Sequence, residues 1–147
     1  MKKPTIIKKK DIQMVPIPFG GKGGDAGMWS MVIDSPAVDT KGVLFGTAEV
    51  NPGYAAHRWH SHTIDKIDAA GLEIVYSKNF EEFYYIVSGS GVCQWESKDG
   101  KIEEAPVTAG DVMFFPRGVM KHQLLNNGSE KIVMVWGGSP LNTIVKK

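Results

Sequence analysis

Along the chain, short runs rich in β-branched and aromatic residues are separated by clusters of glycine, proline, asparagine and aspartate. The runs are Trp29 to Ile33, Val43 to Val50, Phe83 to Val87, Val92 to Glu96, Val112 to Phe115 and Ile132 to Trp136. Their residue types predict strands, because branched and aromatic side chains pack well on a pleated surface. The separators, among them Asn51-Pro52-Gly53, Gly89-Ser90-Gly91, Ala109-Gly110-Asp111 and Asn127-Gly128, are turn formers. Many short strands joined by tight turns predict an all-β sandwich or barrel.

Three segments refine this picture. Val92 to Glu96, the turn formers Ser97-Lys98-Asp99-Gly100 and then Lys101 to Glu103 predict a β-hairpin with a water-facing polar edge. Glu82 to Val87 is apolar at nearly every position after the glutamate, so both faces of that strand need cover. A second sheet of the same chain or a second copy of the protein would supply it, and a symmetric homodimer is the expected arrangement. A helical spacing is present in Thr63 to Leu72, where Ile64, Ile67 and Ala70 fall on one side, and a strand-like stretch from Leu72 to Tyr76 follows. Residues 63–80 therefore read as a rim insertion, either a flap over the barrel mouth or an extra hairpin that only packs.

At 147 residues the chain predicts one domain, 1–147, with residues 1–28 an N-terminal arm. Seventeen Lys and Arg balance sixteen Asp and Glu, a formal charge of +1, so no global field draws the protein to nucleic acid or an anionic membrane. A small-molecule partner is expected instead. Lysines gather at both termini, where solvated tails are common. The apolar stretch after the first of them is only Ile6-Ile7, too short for a signal peptide or a membrane span. The lone Cys93 cannot form an internal disulfide, which suits a reducing, cytoplasmic setting.

All four histidines fall in two short segments, His57, His60 and His62 in one and His122 in the other. On a strand, side chains alternate, so His60 and His62 share a face with backbones roughly 7 Å apart and can converge on one ion. Arg58 shares that parity and His57 does not; His57 reads as an ordinary surface or core residue. Adding Glu82 and His122 gives a mixed nitrogen and oxygen set suited to a divalent transition metal such as Fe, Mn, Ni or Zn, and poorly suited to calcium or magnesium. Glu73 or Glu81 are alternative carboxylates. Glu82 is preferred because its parity groups it with Tyr84 and Ile86 on one face.

Gly53, His60-Ser61-His62 and Glu82, followed by Gly89 after six residues, resemble the first motif of the cupin superfamily, G-x5-H-x-H-x3-4-E-x6-G. Gly110, Pro116, Gly118, His122 and Asn126 resemble its second motif, G-x5-P-x-G-x2-H-x3-N. Three spacings depart from the pattern: six residues separate Gly53 from His60, nineteen separate His62 from Glu82, and three separate Gly118 from His122. A one-residue excess fits a β-bulge. The resemblance to small single-domain cupins of the type-2 conserved barrel implies a double-stranded β-helix, or jelly roll, with His60, His62, Glu82 and His122 around one metal ion.

Cupin barrels serve many chemistries, so the fold does not choose among them. The complete ligand set implies a metal-dependent enzyme acting on a small oxygen-rich metabolite, of dioxygenase, isomerase or epimerase, or lyase type. In that scheme Glu82 ligates the ion or acts as a base. Arg58 is placed to pair a substrate carboxylate, and Tyr84 faces the lumen. The alternative is a non-catalytic module that binds a small molecule or sugar.

Overall fold

The computed structural model describes residues 3–17, 24–32, 42–57, 59–61, 66–69, 72–118 and 121–146, and side chains at all of these except 66–69, 72–77 and 140–146. Among the described residues there are ten strands: β1 (Val15–Pro16), β2 (Gly27–Met31), β3 (Leu44–Val50), β4 (Lys66–Ala69), β5 (Leu72–Ser88), β6 (Ser90–Glu96), β7 (Ile102–Thr108), β8 (Val112–Phe115), β9 (His122–Leu125) and β10 (Ile132–Lys146). A 3₁₀ turn at Lys9–Asp11 precedes them. The strands form an antiparallel seven-stranded sheet, ordered β1-β2-β3-β10-β5-β4 with β8 also on β5, and a three-stranded sheet ordered β7-β6-β9. This is an all-β jelly roll, and none of the described helices is long and apolar enough to cross a membrane.

Alternation builds the core. Along β3, Leu44, Gly46, Ala48 and Val50 point inward and the residues between them outward. Ile86, Leu124, Ile132 and Met134 meet them, nearly all of their surface removed from water. Burying each such large aliphatic side chain contributes about 1.5–3 kcal/mol. The predicted hairpin forms as β6 and β7, with Trp95 opposite Glu103 and Glu96 opposite Ile102. Gly100 takes the left-handed backbone at its turn, φ 78°, which a side chain would strain.

Lys66–Ala69 is a strand where the helical spacing of Thr63 to Leu72 pointed to a helix. It pairs with the start of β5, Lys66 opposite Val75 and Ala69 opposite Leu72. The same half of β5 pairs with the end of β10, Leu72 opposite Lys146. The ladder on both sides of Leu72–Val75 outweighs a weak local helical period, because pairing satisfies backbone groups that a three-position apolar stripe does not. Between the two halves of β5 the register with β10 shifts, from Tyr76 opposite Leu141 to Glu81 opposite Ser139. Phe80, in that irregularity, is buried. It packs where a side chain at Gly138 would stand, so the glycine is required by close approach.

The inner half of β5 shows one-sided burial. Glu82, Tyr84 and Ile86 face inward at 4%, 4% and 0% exposure, while Phe83, Tyr85 and Val87 remain 39%, 41% and 50% exposed. On the neighbouring β8, Val112 and Phe114 are exposed and Met113 and Phe115 buried. Phe83 lies opposite Phe114 and Tyr85 opposite Val112, so the exposed residues form one apolar face. Tyr54 is likewise exposed.

Candidate metal centre

His122 opens β9, a strand paired along its length with β6, where Trp95 stands opposite His122 and Cys93 opposite Leu124. The imidazole is completely buried. Beyond β9 the chain is pinned by Asn126. Its side-chain amide donates to the carbonyls of Val50 at 2.9 Å and Glu130 at 2.7 Å, and its carbonyl accepts from the Gly128 amide at 3.1 Å. A buried amide with both ends engaged fixes the turn that leads from β9 toward β10 and ties it to β3.

His60 arrives differently. The segment before it touches β9 only by isolated bridges, Ala55 to Leu125 and His60 to His122. The last of these exchanges two bonds, the His60 amide to the His122 carbonyl at 3.3 Å and the His122 amide to the His60 carbonyl at 3.0 Å. Five positions separate Ala55 from His60, against three from Leu125 to His122. The excess is a local bulge, so simple alternation does not govern this segment. The His57 ring accordingly lies against that of His60, centroids 3.9 Å apart, although parity set it on the other face.

Glu82 comes from the opposite sheet. It lies on β5 between Gly138 of β10 and Phe115 of β8. His60, Glu82 and His122 are buried together, and one ligand atom of each lies within 4.8 Å of the others. The Glu82 Oε2 to His122 Nε2 separation is 3.6 Å. Ligands held 2.0–2.2 Å from one ion sit roughly 3–3.5 Å apart when adjacent, so the group is close to ligating geometry. Two imidazoles and a carboxylate are a mixed nitrogen and oxygen set of the kind that suits a first-row divalent ion. The donor set therefore fits a divalent transition metal.

Aromatic rings back the group. Phe115 stacks on His122, centroids 4.1 Å apart and planes 21° from parallel. Tyr84 meets Phe115 edge-on at 4.9 Å. His62 and Arg58 lie outside the described residues, as does the side chain of Glu73. Glu81 points to solvent. Phe115 was not anticipated as a neighbour of the site; its place one residue before Pro116, two from Met113 on an alternating strand, was the available signal.

An antiparallel double sheet closing over a buried histidine and carboxylate group defines a small β-barrel protein with a possible metal site. Residues 76–138 match the family model described as a cupin domain. Solved structures share the fold. A candidate sugar phosphate isomerase from Acidithiobacillus ferrooxidans is 19% identical, with a TM-score of 0.57 over 88% of this chain and 72% of that one. Bacillus subtilis oxalate decarboxylase, a protein with Mn(II) centres, is 21% identical with a TM-score of 0.57 over 88% of this chain and 29% of its own. An oxalate oxidase is 23% identical with a TM-score of 0.57 over 85% of this chain and 57% of its own. No curated protein sequence matches the chain.

Proposed function

We propose that this protein is a metal-dependent cupin enzyme that binds one divalent transition ion through His60, His62, Glu82 and His122 and acts on a small metabolite bearing ligating oxygens. The observation that carries this is the burial of two imidazoles and a carboxylate with ligand atoms within 4.8 Å, on elements from both sheets. That metal-containing enzymes are among the structural neighbours supports the class, not the substrate. When bound, the ion supplies Lewis acidity toward a substrate oxygen. The chain's own part is to hold that oxygen's partners rigidly: Phe115 and Tyr84 restrict water, and the Glu82 carboxylate is the group able to take a proton from a bound substrate. Arg58 is proposed to orient a substrate carboxylate.

Elemental mass spectrometry on untagged protein is the test, with His60→Ala/His122→Ala beside the wild type. The expected outcome is near-stoichiometric metal in the wild type and none in the variant. Equal metal in both, or none in the wild type after reconstitution with Mn(II), Fe(II), Ni(II) and Zn(II), ends the proposal.

The chain is also proposed to pair with a second copy over the β5–β8 face. Phe83, Tyr85, Val87, Val112 and Phe114 present roughly 400 Å² of contiguous apolar surface, the size at which patches mark interaction sites. That is about half of the ~800 Å² each partner contributes to a stable interface. Sedimentation velocity should give a dimer for the wild type and a folded monomer for Tyr85→Asp/Phe114→Asp. A monomeric wild type at high concentration rules the pairing out.

A further inference from the structure

Beside the candidate metal group lies a partly open pocket of ≈ 480 Å³ walled by Cys93 and Trp95 of β6, Ala105 and Val107 of β7, and residues 112–116 of β8 and its end, so that its rim includes Val112 and Phe114 of the exposed apolar face. Its volume is that of a small-molecule site. It lies where the two sheets meet: β7 is the outer strand of the three-stranded sheet, and β8 is paired with β5 alone. Phe115 belongs to both places, since the ring that lines the pocket also stacks on His122 at 4.1 Å. Trp95 is likewise shared, lining the pocket and standing opposite His122 across the β6–β9 ladder.

The pocket's chemistry is unlike that of the metal group. Among the described residues no charged side chain lines it. The heteroatoms on its side chains are the Cys93 thiol, the Met113 thioether and the Trp95 indole nitrogen. The indole is already committed, donating to Glu103 Oε2 at 3.1 Å. The thiol is pushed up to about 11 by burial, so it carries no charge at neutral pH. Hydroxyls or carboxylates moved against these mainly apolar walls would lose water and meet no charged side-chain partner among the described residues, whereas hydrocarbon or aryl surface would gain contact with them.

We propose that this pocket receives the apolar part of the ligand, an aryl or branched alkyl group, while an oxygen-bearing head on the same molecule reaches the metal group past Phe115. The substrate class is then amphipathic: a chelating head, such as a 2-oxo acid, on an apolar body, and not a sugar or a small dicarboxylate. This deepens the metal-enzyme proposal above and rests on it for the head, while the tail rests on the pocket alone.

The test uses the full chain and two probes with one head, pyruvate and phenylpyruvate, titrated by calorimetry into Mn(II)-loaded protein. Phenylpyruvate should bind about tenfold more tightly, in line with the discrimination an apolar pocket provides. In Ala105→Trp and, separately, Val107→Phe, which fill the pocket, the two affinities should converge while Mn(II) content stays at the wild-type level. Equal affinities in the Mn(II)-loaded wild type overturn the proposal, as does a phenyl preference that survives in both filled variants. A metal-free arm separates the two ideas: the neutral dye N-phenyl-1-naphthylamine should bind saturably to the wild type and weakly to the filled variants. If no protein takes up Mn(II), the metal reading fails, and dye binding indifferent to the filling substitutions overturns the pocket as well.

Discussion

The two histidine segments that meet on β9 are held in opposite ways. His122 sits in a strand paired along its length with β6 and is followed by the three side-chain bonds of Asn126. The segment carrying His60 is joined to β9 by two isolated bridges, Ala55 to Leu125 and His60 to His122, with a bulge between them. A ladder distributes the cost of fixing a side chain over many backbone bonds, while isolated bridges fix only the residues they join. The candidate metal group therefore has one histidine on a continuous ladder and one on a bulged, bridge-held segment, with Glu82 on the opposing sheet.

The largest expected effect breaks the ladder-held side. Asn126→Ala removes the partners of the Val50 and Glu130 carbonyls in a buried turn and should cost roughly 3–4 kcal/mol, read by urea denaturation. Next, His122→Ala leaves a cavity beneath Phe115 and should cost about 2–3 kcal/mol in metal-free protein, whereas His60→Ala should cost about 1 kcal/mol. Equal costs at the two positions would erase the distinction between the segments.

The smallest effect sharpens the contrast through Cys93, the β6 residue opposite Leu124. Burial raises its thiol from the ordinary 9.0 to about 11. The folded state thus holds the proton more tightly than the unfolded chain, so this contribution is complete below about pH 9 and fades as pH rises toward 11. Denaturation midpoints should fall over that interval in the wild type and less steeply in Cys93→Ala. Parallel pH profiles would show that the β6–β9 ladder does not shield the thiol.

Three members of the candidate site were legible in the residues, while His62 and Arg58 lie outside the described residues. His60, Glu82 and His122 were singled out from residue type and spacing, and the structure places the three together. The inward set Glu82, Tyr84 and Ile86 follows from alternation on one regular strand. His57 was misplaced because parity holds only where a strand is regular, and residues 55–60 are bulged. Phe114 and Phe115 are identical in type and adjacent, so no local property could say which one faces the core.

By itself, then, the sequence determined most of the strands, the turns, the candidate ligand residues and the likeness to a cupin, because these depend on local periodicity and spacing. Only the tertiary structure decided that Lys66–Ala69 is a strand, that Phe115 stacks on His122, and that an apolar pocket stands beside a polar metal group. Each of those outcomes is set by which distant strand lies alongside, and period-two alternation states that a strand has two faces without stating what either face will meet.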